Sequence, residues 1–318
     1  MTLLGLDIGG TKLAAGVATI QGQVLARRRA PAWSARGPDA MITDLLAMAR
    51  TAVAESGTRP AVVGVSIGGP LDPERGMIIG PPGLPGWNGV PLRDILERAL
   101  GLPVAIDNDA NAAAVAEWCW GHGQGLDNLL YVTVSTGVGG GVIVNSHLLR
   151  GVGCGAGEIG HMLVRPNGSV CACGGRGCLE AEASGTAIAR KAREALLGYT
   201  REASRLWDLC GGQPETVTAR HVSQAAREGD LLAASIWEDA LDALATGLTN
   251  AICTLAPQRV IVGGGVASAG DIFFKPLRQL VAERVHIVPV YAIGIVPSAF
   301  GADHAGLMGA FAVALERL

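Results

Sequence analysis

An α/β protein of two domains with related topology and a cleft between them is what the sequence predicts, on three observations. One unit occurs twice: LLGLDIGGTKLAAGV from Leu3 and LLYVTVSTGVGGGVIV from Leu129 each read as strand, glycine turn and second strand. Runs of β-forming residues alternate with segments of helical spacing, and 318 residues suffice for two cores. Glycine, at 46 residues, gathers at 5–10, 64–69, 137–141 and 263–265, each time after β-formers. Such places let a backbone approach a ligand closely, commonly a phosphate.

Residues 2–10 predict a buried strand ending in a glycine turn, and 13–20 and 24–31 continue it as a meander turning at Gln21-Gly22. Met41, Leu45, Met48, Ala52 and Val53 recur at helical spacing within 38–56. AVVGVSIGGP is a further strand–glycine unit, and 76–93, rich in Gly and Pro, reads as a loop anchored by Trp87. PLRDILERAL predicts a helix, LPVAIDND a strand and ANAAAVAEWCWG an alanine-rich helix. After the second strand–turn–strand unit come helices around 186–198, 218–228 and 231–255. RVIVGGGVA is the last strong strand–glycine unit, followed by a helix (DIFFKPLRQLVAERV), a strand (VPVYAIGIVPS) and a closing helix from Gly301. No segment has the composition of a disordered tract.

A net charge of −3 gives no footprint for nucleic acid or a membrane surface. No apolar run of about 18 residues and no charged-then-apolar leader occurs, so neither a membrane span nor secretion is expected. Seven cysteines, an odd count, fit reduced thiols in a cytoplasmic protein.

The chemistry-bearing residues fall in four places. Asp7-Ile8-Gly9-Gly10-Thr11-Lys12 sets a carboxylate at a strand end beside glycines, a hydroxyl and an amine. Backbone N–H groups there can cradle phosphate oxygens, and Asp7 can hold Mg²⁺ directly or through water. Ser135-Thr136-Gly137 opens a second cradle, and Gly263-Gly264-Gly265 gives a nucleotide base or ribose a surface to lie against. Tight hairpins also need glycine; the duplication favours phosphate binding. No G-x-G-x-x-G opens a helix and no G-x4-G-K-[ST] loop is present, which sets aside the two commonest nucleotide motifs.

Asp107-Asn108-Asp109-Ala110-Asn111 stands where a strand meets a helix. A positioned Asp can take the proton from an alcohol attacking a phosphoryl group; Asn108 or Asp109 can equally cap the helix, and the two roles are compatible. The fourth place is GEIGHMLVRPNGSVCACGGRGCLE (157–180), where His161, Cys171, Cys173 and Cys178 form H-x9-C-x-C-x4-C. One imidazole and three thiols are a standard closed zinc set, and the glycines between the last two cysteines permit the tight bend. Buried thiols or a disulfide pair are the alternative. Glu158 precedes His161 by one helical turn and Glu180 follows Cys178 by two residues, so a metal would fix all three side chains together.

Together these residues resemble the ROK family of sugar kinases, a branch of the hexokinase, actin and Hsp70 fold. DIGGTK is similar to its first phosphate motif, STGVGGG to the second, IVGGG to the adenosine motif and NDAN to the sugar and catalytic motif. GEIGH with CACGGRGCLE resembles the zinc motif, the most specific of these, and the likeness covers essentially the whole chain. It implies a two-domain actin-like ATPase (ribonuclease H-like) fold, with residues 1–117 plus 301–318 as one domain and 118–300 as the other. It implies ATP-dependent phosphorylation of a hexose at its 6-hydroxyl, with Mg²⁺ and a structural Zn²⁺. Asp109 is then the general base, ranked above Asp107, and Gly69, Asn108, Asp109, Glu158, His161 and Glu180 bind the sugar. The phosphates and nucleotide fall to Asp7, Gly9, Gly10, Thr11, Lys12, Ser135, Thr136, Gly137, Gly263, Gly264 and Gly265. The metal loop would hold sugar, with the glycine turns binding nucleotide at a distance from it.

Glucose is the first substrate expected, then N-acetylmannosamine or N-acetylglucosamine, then fructose, with polyphosphate a possible replacement for ATP. One departure bears on that order: Gly83 precedes Leu84-Pro85-Gly86-Trp87 where glucokinase-like members often carry Asn. Repressors of the same family carry a helix-turn-helix before the first phosphate motif; here that motif starts at Asp7, which leaves no room, and no basic face is evident. A sugar-binding protein without activity is the other rival, disfavoured by Asp109 and the two turns. The family association implies a homodimer or higher homo-oligomer, with Trp118 and Trp120 either interface anchors or core residues.

Overall fold

The computed structural model describes residues 1–81, 83–198, 200 and 203–318. In chain order the elements are β1 (Thr2–Ile8), β2 (Lys12–Thr19), β3 (Val24–Pro31), α1 (Gly37–Ser56), β4 (Val62–Ile67), β5 (Leu71–Asp72), β6 (Met77–Ile78), α2 (Leu92–Leu100), β7 (Val104–Asn108) and α3 (Asp109–Trp120). Then come β8 (Leu129–Val134), β9 (Val138–Val144), β10 (His147–Leu148), α4 (Leu179–Ala183), α5 (Gly185–Leu196), α6 (Leu206–Leu209) and α7 (Ala219–Arg227). The chain ends with α8 (Leu231–Leu255), β11 (Arg259–Gly263), α9 (Asp271–Arg284), β12 (Gly294–Pro297) and α10 (Gly301–Leu315). Two compact units result: residues 1–127, 141–157 and 303–318, and residues 128–140 and 158–302.

The first unit is built on a sheet of order β3-β2-β1-β4-β7. β1 runs antiparallel to β2 and parallel to β4, and β4 runs parallel to β7. Central strands covered on both faces need near-continuous apolar runs, and β1 and β4 are buried throughout. At the edge, β3 exposes most of its residues and carries Arg27, Arg28, Arg29 and Pro31, which discourage further strand pairing.

The two faces of this sheet differ. Leu4, Leu6 and Ile8 alternate onto one face and pack with Met41, Leu45 and Ala49 of α1 in the apolar core. Met48 and Val53 of the same helix are half-buried against that core. On the opposite face the register aligns Gly16, Gly5, Gly64 and Ala105, a row of minimal side chains. A Cβ at Gly64 would collide with the Ala310 carbonyl, and one at Gly5 with the Phe311 ring. These glycines seat α10; they are packing positions, not the ligand-facing ones that their clusters suggest. One register step on, the same face carries Ala14, Asp7, Ser66 and Asp107 in a row.

The other five-stranded sheet has the order β10-β9-β8-β11-β12, with β8, β11 and β12 parallel. Pro276 inside α9 cannot bond the Ile272 carbonyl, and Trp237 Nε1 of α8 donates to that oxygen instead at 3.0 Å. The Trp237 ring meets Phe273 edge-on at 6.3 Å.

Two expectations are amended. The strand read over VPVYAIGIVPS narrows to β12, because Pro289 offers no ladder donor and heads a 3₁₀ turn at Val290–Ala292. The segment 76–93 holds fully buried Trp87 as expected, but Met77–Ile78 pairs with Leu71–Asp72 as a short hairpin. Trp118 and Trp120 are half-buried. Trp118 Nε1 donates to the Leu126 carbonyl at 2.8 Å, and the Trp120 ring lies against Gly22. Among the described residues no helix is long and apolar enough to cross a membrane.

Candidate active site and metal centre

In the first unit the β1–β2 turn closes by a hydrogen bond from Gly9 N–H to the Lys12 carbonyl at 2.9 Å. Gly10 and Thr11 are exposed at its tip. A Cβ at Gly10 would come within 2.9 Å of the Gly83 carbonyl, which explains the residue choice there. Asp7 at the strand end is buried, with the backbone of Gly306 pressed against its carboxylate. Burial raises its pKa to about 6; Asp109 adds to that, and Lys12 and Arg29 oppose it. A carboxylate held this way gains most from a cation that restores its charge.

β7 delivers the second cluster. Asn108 caps α3, its Oδ1 accepting the Asn111 N–H at 2.7 Å. Gly69 lies beside it, a Cβ built there falling 3.8 Å from Asn108 Cβ. Asp107 is almost wholly buried and fully engaged. Its Oδ1 accepts from Asn108 N–H at 2.7 Å and Asn111 Nδ2 at 3.0 Å, and its Oδ2 from Arg150 Nε at 3.1 Å and Nη2 at 2.8 Å. Asp109, on the first turn of α3, is exposed to solvent yet set among enough protein that burial raises its pKa above the ordinary carboxylate value. The unit thus gathers Asp7, Gly9, Gly10, Thr11, Lys12, Gly69, Asn108 and Asp109.

In the second unit the ligand atoms of His161, Cys171, Cys173 and Cys178 all lie within 4.8 Å of one another. Cys171 Sγ is 3.7 Å from His161 Nδ1, and Cys173 Sγ is 3.7 Å from Cys178 Sγ. Sulfurs about 2.3 Å from a tetrahedral Zn²⁺ stand about 3.8 Å apart, so the donor set and its spacing fit that ion. Gly175 leaves the sulfurs room: a Cβ there would stand 3.3 Å from Cys178 Sγ and 3.4 Å from Cys173 Sγ, a tight fit. As free thiols the three oppose one another. Burial raises Cys171 and pushes Cys178 up to about 12, whereas Cys173, accepting the Gly175 N–H, is lowered. A cation is what lets all three ionise. With Nδ1 turned to the thiols, His161 Nε2 stands 3.9 Å from the Glu158 carboxylate.

The metal loop and the second glycine turn are one construction. Glu180 Oε2 accepts the Val138 N–H at 3.0 Å, directly after the Ser135-Thr136-Gly137 turn. Gly160 packs against the Val138 carbonyl with no room for a Cβ. Gly185 N–H bonds the Ser135 carbonyl at 2.7 Å, and Val266 N–H bonds the Val134 carbonyl at 3.0 Å, which brings Gly263, Gly264 and Gly265 to the same end of β8. The expectation that the nucleotide turns lie far from the metal loop is therefore corrected for the second turn.

Two groups escaped sequence reasoning. Arg150 also bonds Glu316, Nη2 lying 2.8 and 2.6 Å from its two oxygens. Burial works against the charge on Arg150, but Glu316 and Asp107 more than offset it and hold its pKa above the usual value. Glu182, buried behind the metal loop, accepts from Ser169 N–H and Lys191 Nζ and pairs with Arg165; Lys191 and Arg165 also reach Asp239 at 2.7 Å each. Neither group belongs to a local pattern. Their partners are scattered along the chain, and only the fold brings them together.

The sequence pattern of the ROK family matches residues 3–317. Glucokinase of Thermotoga maritima is 38% identical over 320 residues, covering 100% of this chain and 98% of that protein. Among solved structures, a ROK family glucokinase from Streptomyces griseus in complex with glucose and AMPPNP superposes with a TM-score of 0.87 at 33% identity, covering 99% of this chain and all of that one. A ROK hexokinase from Thermus thermophilus gives 0.85 at 35% identity, covering 100% of this chain and 99% of the other. The α/β units described above accordingly have the actin-like ATPase fold.

Proposed function

The chain belongs to the ROK family, and we propose that it transfers the γ-phosphoryl group of ATP to the 6-hydroxyl of a hexose, glucose first. The observation that carries this reading is the division of labour in Asp107-Asn108-Asp109. Asp107 is consumed by Arg150 and Asn111, while Asp109 stands outside that network with a raised pKa. A carboxylate of raised pKa is the stronger base and accepts a hydroxyl proton more readily, which is the requirement here.

In this reading Asp109 takes the sugar proton, Asn108 and Gly69 bind the sugar beside it, and Glu158, His161 and Glu180 bind further sugar hydroxyls. The backbone N–H groups of the β1–β2 turn, with Thr11 and Lys12, and the Ser135–Gly137 turn hold phosphate oxygens. Gly263, Gly264 and Gly265 leave room for the adenosine. Mg²⁺, when bound, neutralises phosphate charge, and Asp7 is the residue suited to hold it. Zn²⁺ on His161, Cys171, Cys173 and Cys178 supplies structure rather than a reactive water, since four protein ligands close its shell. A homodimer or higher homo-oligomer in the cytoplasm is the accompanying expectation, and light scattering at micromolar concentration checks the mass.

The experiment is a coupled assay of ADP release with glucose, mannose, fructose, N-acetylglucosamine and N-acetylmannosamine, run with ATP and again with polyphosphate. Glucose is expected to give the highest kcat/KM with ATP. A higher value for N-acetylmannosamine would move the substrate while keeping the chemistry. No turnover on any sugar would overturn the kinase reading.

A further inference from the structure

We propose that Arg150 is a positioning residue for the general base, acting from a distance through Asp107 to fix the first turn of α3. The inference rests on Asp109 having the role given above.

The chain of contacts is continuous. Arg150 holds Asp107 Oδ2 with Nε at 3.1 Å and Nη2 at 2.8 Å, both donors converging on one oxygen of the carboxylate plane. The other oxygen of that plane, Oδ1, takes Asn108 N–H and Asn111 Nδ2. Asn108 and Asn111 flank Asp109 by one and two residues, and Asn108 Oδ1 binds the Asn111 backbone. A rotation of the Asp107 carboxylate would therefore move both neighbours of the base. The same Nη2 also reaches both oxygens of Glu316, just beyond the end of α10. That helix seats Gly309 against Ala112 and Ala113 of α3, so Glu316 and the far side of α3 move with one rigid element. A helix N-cap needs only Asn108. Burying a carboxylate behind it is costly unless it is paired, so the Arg150–Asp107 pair has a purpose beyond capping, and orientation of Asp109 is the one its contacts serve.

Three variants separate this from a general loss of fold. Arg150→Met leaves a buried charge unpaired and can fail to fold. Glu316→Gln, at the exposed end of the chain of contacts, releases one side of Arg150 without burying a charge. The double variant Asp107→Asn with Arg150→Met removes both charges and keeps an acceptor for Asn108 N–H and Asn111 Nδ2. Misplacement of a reacting group by about 1 Å costs up to about 100-fold. The double variant should therefore lose about 10- to 100-fold in kcat with an unchanged KM for ATP, and Glu316→Gln about threefold. Arg150→Lys should recover less than half of the loss, because one ammonium cannot grip in two places. Amide hydrogen exchange should rise at residues 108–112 and stay unchanged in β1 and β4.

Unchanged kcat in both folded variants, or exchange raised evenly through the unit, would overturn the proposal. If the unsubstituted chain phosphorylated no hexose, the kinase reading would fall; local exchange at 108–112 would still decide whether Arg150 holds that turn.

Discussion

The two copies of the strand–turn–strand unit share a sequence pattern and differ in the source of their carboxylate. In the first, Asp7 sits in the strand itself, and the turn closes on its own backbone through Gly9 and Lys12. In the second, Thr133 stands at the matching position, and the carboxylate is Glu180, brought to the Val138 N–H from 42 residues away. Glu180 follows Cys178 at the start of α4, so its position depends on the metal loop. Both turns close on their own backbone, the second through Ser135 N–H to the Gly137 carbonyl at 2.8 Å, and the second in addition takes a carboxylate from the metal loop. Duplicated turns need not have equal stability: local hydrogen bonding decides how each responds when its neighbourhood is disturbed.

The first two predictions strike each copy in turn. Asp109→Asn removes the base beside the first unit's glycine turn while keeping its shape, and kcat should fall about 10²- to 10⁴-fold with ATP affinity unchanged. Single-turnover kinetics and calorimetric titration of ATP check both halves; a mutant within threefold of the parent would make Asp107 or the substrate itself the proton acceptor. Cys173→Ala, or chelation of the metal, strikes the second copy. Hexose affinity should fall by about 100-fold or more as His161 and Glu158 lose their frame. Because Glu180 also holds the second turn, ATP affinity should fall as well, by roughly tenfold, the worth of one charge-assisted hydrogen bond. Metal content by elemental analysis and titration of each ligand test this. Unchanged ATP binding in a metal-free protein would mean that the turn stands without Glu180.

A smaller effect sharpens the same contrast. Glu182 ties the backbone of Ser169, two residues before Cys171, to Lys191 on α5. Burial alone would raise its pKa, but Lys191 and the Ser169 N–H outweigh that and leave it lowered. Its stabilising contribution is therefore present above the ordinary carboxylate range and is lost as pH falls through its lowered value. Glu182→Gln should cost about 2 kcal/mol, below the roughly 3–5 of a fully buried pair because Lys191 keeps Asp239. The same variant should release metal faster to a chelator. Thermal unfolding with and without chelator distinguishes the two contributions, and a metal-release rate equal to the parent's would confine Glu182 to helix packing.

What could be read from the sequence follows the range of each interaction. The His161, Cys171, Cys173 and Cys178 cluster was legible because its residues are local and follow a spacing that suits one tetrahedral ion. Helices such as α8 were legible from apolar spacing, to the residue in that case. Gly5 and Gly64 were misread with their neighbours, because a glycine that admits a helix and one that admits a phosphate look alike until the helix is seen above it. Arg150 and Glu182 were silent. Their partners stand 43 and 166 residues from Arg150 and 9 to 17 from Glu182, and no periodicity links such separations. Chemistry confined to one loop is readable from sequence, whereas the side chains that orient it from a distance appear only once strands are in register.

The last prediction concerns stability at the base itself. Burial raises the pKa of Asp109 in the folded chain above the 3.8 of an unperturbed Asp. A group raised on folding favours the folded state while protonated, and that advantage is lost as pH rises through the folded value. At pH 7 the ionised carboxylate therefore costs stability that an uncharged isostere does not. Asp109→Asn should raise Tm at pH 7 even as it abolishes most turnover, the usual exchange between a reactive site and a stable one. Below about pH 3.8 both states of the parent are protonated and the gain should vanish. In the parent, kcat should fall as pH drops through the raised value, since only the ionised form accepts a proton. Calorimetric scans of parent and variant from acid to neutral pH test the sign. A variant less stable than the parent at neutral pH would mean that the carboxylate is paired in solution, and the raised basicity assigned to Asp109 would have to be withdrawn.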